Sequence, residues 1–171
     1  EIPGPWPLCI EGYLRPGIAH PDAAVMAAVN HVLAVGPTSR LYRALVRDRG
    51  VTSHVASHLA FPGERHTNLW VVIAPPRPGI PLEAVRRALH EELDRLKRED
   101  VSAEELTRFK SRARVDFLRS LDDDQETATA LADHQLLSGD WREMFRFQER
   151  VRQVTATDVR RVAREVFQDG R

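Results

Sequence analysis

The 171 residues balance 25 Lys+Arg against 25 Asp+Glu, a formal net charge of zero. That balance argues against the basic excess or stripe of a nucleic-acid binder. The single cysteine, Cys9, excludes an internal disulfide and a thiolate metal site and leaves the compartment open between bacterial periplasm and cytoplasm. No apolar run is long enough to span a bilayer, and the length suits one domain, residues 1–171, with its own core.

The chain opens at Glu1 rather than a methionine, which points to a longer parent polypeptide. Residues 1–7 are proline-rich and read as an extended linker. Leu8–Leu14 is a first strand, closed by Arg15-Pro16-Gly17. A helix opens at Pro21-Asp22, with Val25, Met26, Val29, Val32 and Leu33 on one face, and ends at Gly36-Pro37. Thr38 then caps a second helix that turns Leu41, Leu45 and Val46 inward and ends at Gly50.

A hairpin follows. Val51–Ala60 and His66–Ala74 are strands, joined by Phe61-Pro62-Gly63-Glu64 as a type II turn. The unbroken apolar stretch Leu69–Ala74 calls for burial on both faces or a central place in a sheet. Beyond Pro75–Gly79 the pattern is helical. Pro81 opens a long helix whose stripe is Leu82, Val85, Leu89, Leu93 and Leu96, with Glu83–Arg87 and Glu91–Arg95 as exposed pairs. Ser102 to Glu105 reads as a capping box for a helix reaching about Leu121. Asp122–Asp124 caps another, with Ala128, Leu131, Ala132 and Leu136 on one side. A short helix covers Trp141–Val151. Thr155 to Asp158 is a second capping box, launching a helix with Val159, Val162, Ala163, Val166 and Phe167 on one stripe. This order of elements argues an α+β domain, a sheet with helices on one side.

The histidines do not assemble a zinc site. His90-Glu91-Glu92-Leu93-Asp94 has aspartate where a helical His-Glu-x-x-His motif requires histidine. His54 and His58, read on one strand, share a sheet face but stand about 13 Å apart, too far to bind one ion. No serine sits in a nucleophile elbow, Cys9 has no recognisable histidine partner, and Gly36-Pro37-Thr38-Ser39 lacks the lysine of a phosphate-binding loop.

Three stretches carry a family resemblance: His20–Phe61 with Ser39-Arg40-Leu41-Tyr42 inside it, Val101–Leu106 with Lys110 downstream, and Val154–Phe167. In this order they resemble the C-terminal half of a pitrilysin/insulinase-family zinc peptidase. The resemblance implies an antiparallel sheet with helices packed on one face, like one half of a clamshell of the mitochondrial-processing-peptidase type. In an active member the N-terminal half carries His-x-x-Glu-His and a later glutamate, which hold zinc and activate its water. The resemblance thus implies no catalytic residue and no metal ligand in this chain. Zinc is expected in an N-terminal half or a partner chain. The implied partners are that zinc-bearing domain or a homologous subunit, a peptide substrate and, for the isolated domain, a second copy. The family grips the substrate backbone with an arginine followed by a tyrosine in this hairpin region. Here Arg65 takes the first place and Trp70 stands where no tyrosine is found, while His54 and His58 are implied to line the chamber wall. The expected function is a non-catalytic C-terminal domain of a zinc metalloendopeptidase; the alternative is a scaffold domain of an inactive relative. The family's closing edge strand has no counterpart in Gln168–Arg171.

Overall fold

The computed structural model describes residues 7–168. The expected linker therefore lies, apart from Pro7, outside the described residues, as do residues 169–171. Alternation along Cys9–Arg15 (β1) sorts side chains onto two sheet faces, as the two-residue period of a strand requires. Asn68–Ala74 (β3) takes the central position, antiparallel to β1 on one side and to Ala56–Phe61 (β2) on the other. Its apolar run marks that central place. Trp70, Val72 and Ala74 point with Cys9 and Tyr13 into the core, while Leu69, Val71 and Ile73 fall on the opposite face.

The helices cover only the inner face. Helix α1 (Ala23–Ala34) buries residues nearly all round and packs on β2 and on α6 (Ala156–Val166). Helix α2 (Leu82–Arg98) lies against β1 and α6. α3 (Ala103–Arg119) packs on α1 and on α5 (Glu143–Gln153), and α4 (Asp124–Ser138) packs on α5. Both capping boxes form: Ser102 with Glu105 and Thr155 with Asp158 satisfy the first orphan N–H groups of α3 and α6. The closing stripe of Val159, Val162, Ala163, Val166 and Phe167 is buried throughout. The architecture is α+β, a three-stranded antiparallel sheet with its helices on one side.

Several local expectations are corrected. The segment after Ser39 runs as a π-helix over Tyr42–Asp48, and no side chain caps its start. Ser39, not Thr38, makes the local bond, donating to the Gly36 carbonyl at 2.8 Å. β2 begins at Ala56, not Val51. Thr52 is fully buried, pairs with Pro76 in an isolated bridge, and donates its hydroxyl to the carbonyls of His54 and Pro75. This ties the segment before β2 to the residues just after β3. β3 likewise begins at Asn68. The connection between the two is not a type II turn, because Gly63 lacks the positive φ that turn demands, and the Phe61–Pro62 peptide is cis. The expected four-apart pairs on α2 do not form: Glu83 meets Arg86 at 3.6 Å, Glu91 meets Arg49, and Arg95 takes Glu99 at 2.9 Å. Leu82 is exposed, although the rest of its stripe is buried. On α4, Ala128, Ala132 and Leu136 are exposed, and the helix buries no residue.

Candidate functional site

The helix-free sheet face is built by β1 residues Ile10, Gly12 and Leu14, β3 residues Leu69, Val71 and Ile73, and Ala56, His58 and Phe61 from β2. The register places Ile10 beside Ile73, Leu14 and Phe61 on either side of Leu69, and His58 beside Val71. Ile10, Leu14 and Phe61 are each more than half exposed. Apolar residues grouped on an open sheet face are a feature that interaction sites share.

At one end of this face, the β2–β3 loop (residues 62–67) carries Arg65. The loop is braced from below. The Ile18 N–H donates to the Glu64 carbonyl at 2.8 Å, and Asn68 Nδ2 donates to the His66 carbonyl at 2.7 Å. Gly17 passes so close that a Cβ there would sit 2.6 Å from the Arg65 carbonyl oxygen and 2.9 Å from that of His66. Only glycine permits this approach. Arg15, 3% exposed, spans the sheet end and donates to the Leu59 carbonyl at 3.0 Å and the Pro16 carbonyl at 2.9 Å. Burial lowers its pKa, and Glu64 partly opposes that. The Arg65 side chain itself is exposed.

The expected site residues separate. His58 is exposed on β2. His54 precedes the strand, exposed, with Nδ1 3.2 Å from Ser53 Oγ, so the two histidines do not share a strand. Trp70 is 0% exposed and points to the opposite face from His58. Its Nε1 donates to Asn30 Oδ1 at 2.8 Å, and Ser57 Oγ donates to the same oxygen at 2.7 Å. Its ring meets Tyr13 and Phe167. The indole thus ties β3 and β2 to α1 instead of joining Arg65.

Arg40, from the most family-like tetrapeptide, is structural. Its guanidinium grips Glu105 with bonds of 2.7 and 2.8 Å, joining the π-helical segment to the start of α3. Tyr42 is half-buried. His90 Nε2 lies 2.8 Å from Glu11, which also accepts from the Tyr13 hydroxyl at 2.6 Å; this links α2 to β1. Burial, and then Glu11, push the Cys9 thiol up to about 11, so it is an inert core residue. Among the described residues, no group of three or more His, Cys, Asp or Glu could hold a metal ion. The chain thus offers zinc no fitting site there. The bracing of the loop by Arg15, Gly17 and Asn68 was not read from sequence. The exposed alternate positions of β1 follow from the strand's two-residue period.

Comparison with known proteins gives this geometry its context. Residues 7–113 match the family model described as the peptidase M16 inactive domain. The chain is 27% identical over 159 residues to the zinc protease PqqE of Helicobacter pylori, covering 92% of this chain and 35% of that protein. The chain therefore spans about a third of this curated relative. A crystallised protease from Helicobacter pylori superposes with a TM-score of 0.85 at 26% identity, covering 95% of this chain and 38% of that one. An "inactive peptidase domain" from Bordetella parapertussis superposes with a TM-score of 0.82 at 26% identity, covering 96% of this chain and 88% of the crystallised chain. With a family model matching residues 7–113 and a fold of that form, the chain belongs to the peptidase M16 inactive-domain family.

Proposed function

We propose that this chain is the C-terminal, non-catalytic half of a zinc metalloendopeptidase, closing a substrate chamber and holding extended peptide against its open sheet face. The observation that carries the reading is the helix-free apolar face, edged by a braced loop that presents an exposed arginine. Ile10, Leu14 and Phe61 supply apolar surface for alternate side chains of a bound peptide. The Arg65 guanidinium is a fixed fork of donors suited to peptide carbonyls. His58 stands on the same face as a hydrogen-bonding side chain, with His54 nearer its margin. The zinc would sit in a catalytic half outside this chain, where it would supply a Lewis acid and a water nucleophile. The residues here bind, orient and enclose.

The test is a cleavage assay of the parent polypeptide, with and without chelator, comparing wild type with Arg65→Ala and Arg65→Lys. The alanine variant raises KM by about threefold to tenfold with a smaller change in kcat, and lysine restores part of the loss. Unchanged kinetics in Arg65→Ala refutes the grip. A scaffold role in an inactive relative is the competing reading, favoured by the burial of Trp70, which leaves Arg65 without the family's aromatic partner. A wild-type parent without chelator-sensitive cleavage decides for it.

A further inference from the structure

Helix α4 is held by little, and a half-buried imidazole lies in its seat. The helix has 15 residues and buries none, and its main packing partner is α5. A helix of that length is marginal in water on its own, so its contact with the neighbouring helices decides whether it stays in place. That contact is incomplete. An open cleft of about 300 Å³ lies between α3, α4 and α5, walled by Ala113, Phe117, Met144 and Phe147. His134 of α4 lines the same cleft. Its Nδ1 is buried and has no hydrogen-bond partner among the described residues.

A neutral imidazole tolerates such a seat, because Nδ1 can be its bare acceptor nitrogen. An imidazolium does not, because both ring nitrogens then donate and one N–H points where nothing accepts it. The charged groups around the ring supply no acceptor. On α5, the Glu143 carboxylate accepts from Arg146 at 2.9 Å and from Arg150 at 2.8 Å. On α3, Asp116 lines the cleft and accepts from Arg112 at 2.8 Å. Asp133 on α4 and Glu64 on the β2–β3 loop reach the ring only through space. Burial lowers the His134 pKa; Glu143, Glu64 and Asp133 oppose that, and Arg150 adds to it. We propose that α4 is an acid-released arm: with His134 neutral it rests on α3 and α5, and protonation of the ring drives it off. Because Glu64 is among the charges acting on His134, the arm rests near the loop that presents Arg65 and leaves that neighbourhood on release. The release itself does not rest on the peptide-holding reading. Its direction with pH follows from the lowered value. The released arm takes up the proton first as pH falls below about 6.5, so docking is complete above that pH and weakens by at most about tenfold per pH unit until the docked ring is itself protonated.

The test is amide hydrogen exchange of the 171-residue chain at about pH 7.5 and about pH 5.5, read as protection factors so that the intrinsic pH dependence of exchange drops out. Protection of α4 falls by about threefold to tenfold at the lower pH, while that of α1 and α6 holds. His134→Gln and His134→Phe, neither of which titrates, abolish the change. Glutamine keeps a polar group at the cleft and phenylalanine matches its apolar wall, so the pair separates lost titration from a disturbed seat. His31 lies beside Phe109 between α1 and α3, and burial lowers its pKa as well. It is present in both variants, so its share is read apart from that of His134. Unchanged α4 protection between the two pH values overturns the proposal. So does an equal fall in the His134 variants, or a fall shared equally by α1 and α6. A His134 ring that titrates at or above about 6.5 by NMR overturns it too.

Discussion

Replacing Glu105 by glutamine removes the anion facing Arg40 and one of the two oxygens to which Arg40 donates. Glutamine can still accept the Ser102 N–H, so the capping box at the start of α3 survives. What is lost is the anion facing Arg40, whose side chain is 9% exposed and whose Nη1 is buried without a partner. Burial alone would raise the Glu105 carboxyl; the Arg40 guanidinium and the Ser102 N–H and hydroxyl outweigh it and hold the group at about 2, below its ordinary 4.5. That difference corresponds to at most about 3 kcal/mol, and partial solvent screening brings the expected loss to about 2 kcal/mol. The sign follows from the lowered value. The unfolded chain takes up the proton first as pH falls, so the carboxylate's contribution is complete above about pH 4.5 and disappears as pH drops through about 2. Urea unfolding of wild type and Glu105→Gln at pH 7 should differ by about 2 kcal/mol, and by about half of that at pH 3. A difference below about 0.5 kcal/mol at pH 7, or one that does not change with pH, refutes the reasoning.

Other outcomes are equally specific. Gly17→Ala drives a Cβ into the Arg65 carbonyl, lowering stability by about 1–3 kcal/mol and shifting the amide resonances of the 62–67 loop; a silent substitution would mean the loop is not braced there. Asn30→Leu strips the shared acceptor from Ser57 and Trp70, at a cost of about 2 kcal/mol in chemical denaturation, and Trp70 fluorescence reports the change. Gly139→Ala forces a left-handed backbone, φ 84°, on a residue with a Cβ, and lowers the melting temperature by the equivalent of about 1 kcal/mol.

The elements written locally were legible. Two capping boxes and the closing stripe of Val159 to Phe167 state their structure within a few residues, and all of them form. The central place of β3 was legible from its apolar run. Features settled by distant contacts were not. Thr52 stands outside β2, bonded to the Pro75 carbonyl and bridged to Pro76, which no local pattern reports. The pairs expected on α2 gave way because Arg49 and Glu99 offered Glu91 and Arg95 better partners. Trp70 looked like part of a grip by its place after Arg65, yet the two-residue strand period turns it inward, where Asn30 accepts its N–H. The side expected to be buried on α4 is not: Ala128, Ala132 and Leu136 are exposed and only Leu131 is half-buried, so periodicity alone did not predict burial.

The central claim is that this domain holds substrate for chemistry performed elsewhere. Its most direct test measures peptide cleavage by the isolated 171-residue chain and by the parent polypeptide, each with zinc and then with a chelator. The account predicts no chelator-sensitive cleavage from the isolated chain and chelator-sensitive cleavage from the parent. Chelator-sensitive cleavage by the isolated chain would contradict it.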